Sequence, residues 1–334
     1  MSYIRTAVHG DVGEIILDRP RALNALDQTM IDDLYATLLA WADDDAIETV
    51  LVTSASERAF CAGGDIRAIR ESAVDGDAAA ITTYFASEYR LNQLIAEYPK
   101  AYVALIDGAA MGGGLGISVH GEVRVVTERA VIAMPETAIG FIPDVGSTYF
   151  LPRLPDGVGL WLGLTGARLR GADAVAVGLA THFVPSDRLD GVAEAIRSGL
   201  GLRAALEDHR DPVSTDLPLT QIAGYFEIGA DAAGLLGGLR GAVGDDWAQE
   251  AADLMEAASP TSLQVTAVLL EAGASSSLEE CLERELRAAE KITATHDFIE
   301  GVRAVLVDKD RSPAFDPATL DDVDPMAVAQ IVGQ

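Results

Sequence analysis

Two carboxylates, Glu136 and Asp144, lie eight residues apart in a segment, 134–146, that also carries two prolines. The residues between them are mostly apolar, and an apolar setting raises the pKa of a carboxyl group toward the range that suits acid–base work. A turn cap would account for one carboxylate, but two that flank an apolar loop are harder to explain as surface. The pair therefore indicates proton transfer or attack on an electrophilic carbon.

A glycine-rich run, 111–116, precedes this segment by roughly twenty residues and predicts the start of a helix. It leaves backbone N–H groups uncovered, and such donors can hold the oxyanion that forms when a carbonyl is attacked. Close packing of a helix on a strand would also explain the glycines. We take the N–H of Gly113 as one oxyanion donor, which suggests an enzyme that acts on an acyl group.

Other glycine motifs do not fit this run. The dinucleotide spacing GxGxxG fails because Ile117 and Val119 stand where its third glycine belongs. The serine-hydrolase pattern GxSxG fails because His120 stands in its last position. Neither a dinucleotide loop nor a serine nucleophile is therefore predicted.

A second small-residue segment, 60–66, follows a predicted strand and supplies Gly64 as a candidate for a second backbone donor. An ordinary turn would explain the segment equally well. Cys61 is a poor candidate nucleophile, because no basic or histidine neighbour in the sequence would lower its thiol pKa. Asp65 is expected to open a short helix toward Glu71.

Hydrophobic periodicity predicts an α/β core followed by helices. Strands are expected at 12–17, 49–53, 101–106, 123–127 and 131–133, and helices from Asp27 to about residue 42 and over 78–97. From about Ser186 the pattern is helical, with helices that begin near Pro260 and that cover 278–293. No internal repeat is evident.

Composition excludes several classes of partner. The chain has 24 Lys and Arg against 52 Asp and Glu, a net charge of −28, which argues against nucleic acid and against an anionic membrane. Cys61 and Cys281 are the only cysteines, and no CxxC or HExxH spacing occurs, so no disulfide framework and no metal site are expected. The amino terminus lacks an apolar signal core, and a cytoplasmic location is the expectation.

The chain resembles the crotonase (enoyl-CoA hydratase/isomerase) superfamily in a set of motifs that occur in the family's order within residues 12–185. These motifs are Leu17-Asp18-Arg19-Pro20, Leu23-Asn24-Ala25-Leu26, Phe60-Cys61-Ala62-Gly63-Gly64-Asp65, Met111-Gly112-Gly113-Gly114 and Met134-Pro135-Glu136. The resemblance implies a spiral of ββα units over residues 1–200 and a helical carboxyl-terminal region, 201–334, that completes the same fold. It also implies an acyl-CoA substrate whose thioester oxygen is held by the N–H groups of Gly64 and Gly113.

One branch of the family, which hydrolyses 3-hydroxyisobutyryl-CoA in valine breakdown, is similar over nearly the whole chain. The similar segments are 87–92, 111–121, 135–146, 259–263 and 296–310. That branch implies binding or catalytic roles for Glu88, Gly113, Glu136 and Asp144. The resemblance predicts an enzyme that hydrolyses short-chain 3-hydroxyacyl-CoA thioesters.

The hydratases of the family use two glutamates, one of them three residues after the oxyanion glycine. That position is Gly116 here, whereas Glu136 matches the second glutamate. Hydration of a double bond is therefore poorly supported. Two alternatives stay open: a hydratase or isomerase that works through Glu136 alone, and a non-catalytic scaffold that binds acyl-CoA.

In the hydrolase interpretation, Glu136 either attacks the thioester to form an anhydride or acts as general base on water. Asp144 would orient water or hold the substrate's 3-hydroxyl group, and Glu88 would hold the acyl end unless it is a solvated charge on a helix. Thiolate leaves readily, so no metal is needed and no cofactor is expected beyond the CoA of the substrate.

The phosphates of CoA require basic residues despite the acidic composition. The candidates are Arg19, Arg21, Arg58, Arg67 and Lys309. His296, beside Asp297, is expected to be structural. Relatives often assemble through their carboxyl-terminal helices, so the resemblance allows a homo-oligomer without deciding it.

Overall fold

A computed structural model describes residues 3–207 and 213–333, which form two compact units built from discontinuous segments. Of the described residues, the sheet unit comprises 3–64, 87–132, 169–207 and 213–217, and the helical unit comprises 65–86, 133–168 and 218–333. The predicted division of the chain at residue 200 stays a prediction.

The strands belong to two sheets. They are β1 (Ile4–His9), β2 (Val12–Leu17), β3 (Thr49–Ser54), β4 (Ala59–Cys61), β5 (Ala101–Ile106), β6 (Ala109–Met111), β7 (Val123–Val126), β8 (Val131–Ala133), β9 (Leu169–Arg170) and β10 (His182–Phe183). The strands predicted from periodicity are present, whereas β1 and the short β4, β6, β9 and β10 were not predicted.

The larger sheet is mostly parallel. Its order is β1-β2-β3-β5-β7-β10; β1 pairs with β2 antiparallel, and the other neighbours are parallel. The smaller sheet has the order β4-β6-β8-β9, with β4 parallel to β6. Parallel strands buried on both faces carry continuous apolar runs, as residues 50–52 of β3 and 102–106 of β5 do.

The α-helices follow and intersperse these strands. They are α1 (Gln28–Ala42), α2 (Ile66–Asp75), α3 (Ala78–Ala96), α4 (Gly113–Gly116), α5 (Ser147–Phe150), α6 (Val158–Thr165), α7 (Gly171–Ala176), α8 (Leu189–Arg197), α9 (Leu202–Glu207), α10 (Leu219–Tyr225), α11 (Ala232–Gly241), α12 (Asp246–Glu256), α13 (Pro260–Gly273), α14 (Leu278–Ile292), α15 (His296–Val302) and α16 (Pro325–Val332). Short 3₁₀ helices cover Pro20–Ala22, Glu136–Ile139, Leu151–Arg153, Pro155–Gly157, Ser186–Arg188 and Leu320–Asp322, and a π-helix covers Arg303–Val307.

Local signals explain where the main helices begin. The Asp27 side chain accepts a hydrogen bond from Met30 N at 2.9 Å and caps α1, as predicted. Ser277 and Glu280 form a reciprocal capping box at the start of α14. Asp65 precedes α2, but its side chain makes no capping bond to that helix.

One apolar cluster of the sheet unit lies between the large sheet and α8. Val12, Leu51, Val103 and Val125 of the sheet pack in one cluster with Val192 of that helix. Among the described residues, no helix combines the length and the apolar composition needed to cross a bilayer.

Candidate active site

Two backbone amides come together in the sheet unit at the ends of β4 and β6. Gly64 follows β4, Gly113 follows β6, and the carboxyl ends of parallel neighbours share one edge of a sheet. A Cβ atom placed on Gly113 would lie 3.3 Å from the amide nitrogen of Gly64. The two predicted oxyanion donors are therefore neighbours in space.

Two of the residues beside these donors must be glycine, one because of its backbone conformation and the other because another part of the backbone lies against it. Gly112, which precedes α4, has φ of 47°, a region that side chains disfavour. A Cβ atom on Gly114 would overlap the carbonyl oxygen of Cys61. The glycine run thus both brings α4 against β4 and sets the direction of the Gly113 amide.

Glu88 lies beside this pair of amides. Its side chain is on α3, the residue is only 2% exposed, and its Oε1 atom occupies the place that a Cβ atom on Gly113 would need. The alternative of a solvated charge on a helix is wrong, because Glu88 is buried. The sheet unit therefore brings Gly64, Gly113 and Glu88 together.

Cys61 is close in sequence to this site, but its environment keeps it inert. Burial raises the pKa of the thiol to about 12, and Sγ donates to the carbonyl oxygen of Asn24 at 3.1 Å. A thiol with so high a pKa is not a nucleophile at neutral pH. The weak support for Cys61 in the sequence agrees with this structure.

Glu136 belongs to the helical unit and is the first residue of the 3₁₀ helix Glu136–Ile139. It is 8% exposed. Gly140 ends this helix with φ of 70°, and a Cβ atom there would overlap the carbonyl oxygen of Asp297 on α15. Ser259 N donates to the carbonyl oxygen of Thr137 at 3.0 Å. Two helices thus hold the segment that carries Glu136.

Asp144 also belongs to the helical unit and begins a tight turn that leads into α5. It is 5% exposed, and its carbonyl oxygen accepts from Ser147 N at 2.9 Å. Val145 has φ of 56° and Gly146 has φ of 82°, so two successive residues are left-handed. For a β-branched residue such as Val145 this conformation is strained, at a cost of about 1–3 kcal/mol.

A third carboxyl group, Glu285, meets this turn and was missed by the sequence analysis. It is fully buried on α14; Oε2 accepts from Gly146 N at 2.7 Å, and Oε1 accepts from Thr148 N at 2.9 Å and from Thr148 Oγ1 at 2.7 Å. Burial raises the pKa of Glu285 to about 8, and the charge of Asp144 adds to that rise, against the lowering effect of the hydrogen bonds.

A sequence signal for Glu285 exists. The residues of α14 that face the interior are Cys281, Leu282, Glu285, Ala288, Ala289 and Ile292, at helical spacing. A glutamate inside an apolar stripe needs hydrogen-bond donors from elsewhere in the fold. The stripe shows that Glu285 is buried, but not which donors it meets.

The candidates for CoA phosphate differ in their exposure and in the contacts that their side chains make within the chain. Arg19 is engaged inside the sheet unit, where its guanidinium donates to the carbonyl oxygen of Ala25 at 2.8 Å and lies 3.6 Å from Asp27. Arg21 and Arg58 are exposed in the same unit. Arg67 and Lys309 are exposed in the helical unit, where Arg67 donates to the carbonyl oxygen of Leu306.

His296, which was expected to be structural, makes a hydrogen bond to the backbone. Its Nε2 atom lies 2.9 Å from the carbonyl oxygen of Ala314, which joins the start of α15 to the segment after the π-helix. Within residues 3–207 and 213–333, no group of three His, Cys, Asp or Glu side chains is placed to hold a metal ion. The expectation of metal-free chemistry stays a prediction.

The sequence matches the family described as enoyl-CoA hydratase/isomerase over residues 12–332. The chain belongs to this family. The predicted resemblance is therefore confirmed.

Curated relatives are similar over almost the whole chain. The 3-hydroxyisobutyryl-CoA hydrolase of Danio rerio is 42% identical over 322 residues, which cover 93% of this chain and 84% of the relative. The protein of the same name from Homo sapiens is 41% identical over 337 residues, which cover 94% of this chain and 84% of the relative.

Solved structures confirm the fold class. A carnitinyl-CoA dehydratase from Mycobacterium thermoresistibile superposes with a TM-score of 0.93 at 41% identity, over 99% of this chain and 96% of that one. An enoyl-CoA hydratase from Rhodobacter sphaeroides 2.4.1 gives 0.92 at 38% identity, over 99% and 97%. The predicted α/β fold with crotonase-like units and a helical carboxyl-terminal region is thus correct.

The expected cytoplasmic location is contradicted. Both curated relatives are named as mitochondrial proteins. The expectation depended on the lack of an apolar signal core, and the lack of one kind of signal does not determine a compartment.

Proposed function

We propose that this chain hydrolyses 3-hydroxyisobutyryl-CoA to 3-hydroxyisobutyrate and CoA, a step of valine breakdown. The observation that carries the proposal is the identity of 41–42% to relatives named for this activity, over 93–94% of the chain. The neighbouring amides of Gly64 and Gly113 support it, because an enzyme that catalyses attack on a thioester carbonyl needs paired donors for the oxyanion that forms.

The carbonyl oxygen of the thioester accepts hydrogen bonds from the Gly64 and Gly113 amides. Negative charge grows on that oxygen during attack, so each donor binds the transition state more strongly than the ground state. A backbone donor of this kind contributes about 3–4 kcal/mol to transition-state stabilisation. Glu88, buried beside Gly113, would hold the acyl end of the substrate.

Glu136 supplies the reacting carboxylate in one of two ways. As nucleophile, its oxygen bonds to the carbonyl carbon, the C–S bond breaks and CoA thiolate leaves; water then hydrolyses the resulting anhydride. As general base, Glu136 takes a proton from the water that attacks the same carbon, and the C–S bond of the tetrahedral intermediate then breaks to release CoA thiolate. Neither course consumes a metal or a cofactor.

Asp144 serves the acyl end of the same reaction. A carboxylate held on a fixed turn can orient the attacking water or accept a hydrogen bond from the substrate's 3-hydroxyl group. The proposal also includes contacts between the basic candidate residues and the phosphates of CoA. It includes assembly of the chain into a homo-oligomer as well.

A second candidate activity is hydration or isomerisation of a short enoyl-CoA. It is favoured by the names of two similar structures, a carnitinyl-CoA dehydratase at 41% identity and an enoyl-CoA hydratase at 38%. Against it stands Gly116, which is buried at the end of α4 and has no carboxylate to share the chemistry.

Release of free thiol from 3-hydroxyisobutyryl-CoA tests the proposal. Purified protein should release CoA with turnover, and the Glu136→Gln variant should bind the thioester without releasing CoA. A wild-type protein that binds the thioester and leaves it intact would instead support the scaffold interpretation.

A further inference from the structure

We propose that Glu285 is a positioning residue for thioester hydrolysis: it fixes the strained turn that carries Asp144. This inference rests on the proposed function, because it assumes that Asp144 acts on the acyl group. Glu285 itself is not proposed to touch the substrate.

The turn that carries Asp144 ends at the first residues of α5. Gly146 is the N-cap residue of α5 and has no side chain to accept the first free N–H groups of that helix. The Glu285 carboxyl group accepts from Gly146 N at 2.7 Å and from Thr148 N at 2.9 Å. It therefore acts as a cap supplied by a residue 139 positions away from Gly146.

Val145 is strained within this turn. The left-handed conformation of Val145 persists only where the surroundings hold it, and Glu285 bonds on the far side of that residue from Asp144. The bond from Ser147 N to the carbonyl oxygen of Asp144 closes the turn from within. Without Glu285, the turn loses the anchor that keeps Asp144 at its place.

Glu285 and Asp144 also interact through charge. Both carboxyl groups are buried, and two close carboxylates in a buried site cannot both ionise readily. Burial and Asp144 raise the pKa of Glu285 to about 8, so Glu285 keeps its proton at pH 7. When that proton is lost, repulsion between the two anions displaces Asp144.

Few other titratable groups face Glu285. From the turn, the charge of Asp144 raises the pKa of Glu285. On the same helix, Glu285 raises the pKa of the Cys281 thiol, and Arg153 and Arg284 lower it. α5, α13 and α16 also pack on α14. α5 contributes Tyr149, which is half-buried with the Arg153 guanidinium over its ring, and α13 contributes only Glu271, which is exposed. Residues 325–332 of α16 include no titratable side chain. Asp144 is therefore the main charged neighbour.

Two variants separate positioning from a merely structural role. Glu285→Gln keeps the size of the side chain and removes its titration, whereas Thr148→Val removes one donor that favours the Glu285 anion. Glu283→Gln, an exposed glutamate on the same helix, is the matched control. The measurements are kcat and KM for 3-hydroxyisobutyryl-CoA from pH 6 to 9.5, with a thermal melt of each protein to check folding.

We expect wild-type kcat to fall as pH rises through about 8. Glu285→Gln should lower kcat at pH 7 by about 10- to 100-fold with little change in KM, because an amide nitrogen in place of one oxygen cannot accept the hydrogen bond that holds the turn there. The variant should also remove the alkaline limb. Thr148→Val should shift the limb to higher pH, because the lost donor raises the pKa of Glu285. Glu283→Gln should match the wild type.

Three results would overturn the inference. The first is a Glu285→Gln variant with wild-type kcat. The second is a variant that melts lower but keeps the wild-type pH profile, since this marks a structural role only. The third is a Thr148→Val variant in which kcat falls at the same alkaline pH as in the wild type. If wild-type protein releases no CoA, the proposed function fails first, so the two failures are distinguishable.

Discussion

The carboxylate of Glu88 occupies the space beside Gly113 that any side chain at residue 113 would need. This relationship explains why a glycine must follow β6 at this point, apart from the direction of its amide. It also shows that the buried Glu88 side chain and the backbone amide of Gly113 are neighbours in the sheet unit. Loss of either should therefore affect the same step.

Gly113→Ala tests this relationship. The added methyl group would displace Glu88 and turn the Gly113 amide away from the thioester oxygen, so kcat/KM should fall by about 100-fold. Gly237→Ala, at an exposed position of α11 with open space around it, is the matched control and should keep full activity. Equal activity of the two variants would show that the Gly113 amide does not bind the oxyanion.

Glu136→Gln tests the reacting carboxylate. The amide can neither form an anhydride nor accept a proton from water, so turnover should fall by about a thousandfold or more. Affinity for the thioester, measured by calorimetry, should stay within a few-fold of wild type because the shape is kept. Wild-type turnover in the variant would exclude Glu136 from the mechanism.

The sequence predicted the elements that local chemistry dictates. Asp27 was predicted to cap α1 and does so through a bond to an amide three residues ahead, a signal that is visible in a short window. The start of α13 near Pro260 was also predicted, although its cap, Ser259, was not. The three-residue strands β4 and β6 were missed, because their partners' hydrogen bonds define them rather than their own periodicity. The Glu285 contacts were missed for the same reason, since they join residues 137–139 positions apart.

The stability of the fold should depend on Glu285 in a defined pH range. The pKa of Glu285 is about 8 in the folded chain and near 4.5 in the unfolded chain. Between these values the folded state keeps a proton that the unfolded state releases, so this residue's contribution falls as pH rises from 5 to 8, by up to about 1.4 kcal/mol per unit. The difference in melting temperature between wild type and Glu285→Gln should show this slope. A difference that does not vary with pH would contradict it.

Alkylation tests the inert character of the cysteines. Cys61 and Cys281 are both buried, and burial raises the pKa of each thiol. Iodoacetamide at pH 7.5 should therefore leave activity unchanged, and mass spectrometry should find both thiols unmodified. Rapid inactivation with one label on Cys61 would show that the thiol is accessible and reactive.

Lys309→Ala tests one candidate for the CoA phosphates. Lys309 is exposed just after the π-helix, and one partly solvated charge pair contributes about 1 kcal/mol, so KM should rise about 5-fold at low salt. Added salt should reduce the difference in KM between Lys309→Ala and the wild type, because salt screens the charge of Lys309. Arg203→Ala, an exposed cation paired with Glu207, is the control. An unchanged KM would exclude Lys309.

The central claim, that this chain is a thioester hydrolase, is tested most directly by two assays on one preparation. Thiol release from (S)-3-hydroxyisobutyryl-CoA and hydration of crotonyl-CoA should be measured side by side. We expect rapid release of CoA and little or no hydration, because Gly116 lacks the second carboxylate. Rapid hydration without CoA release would contradict the account.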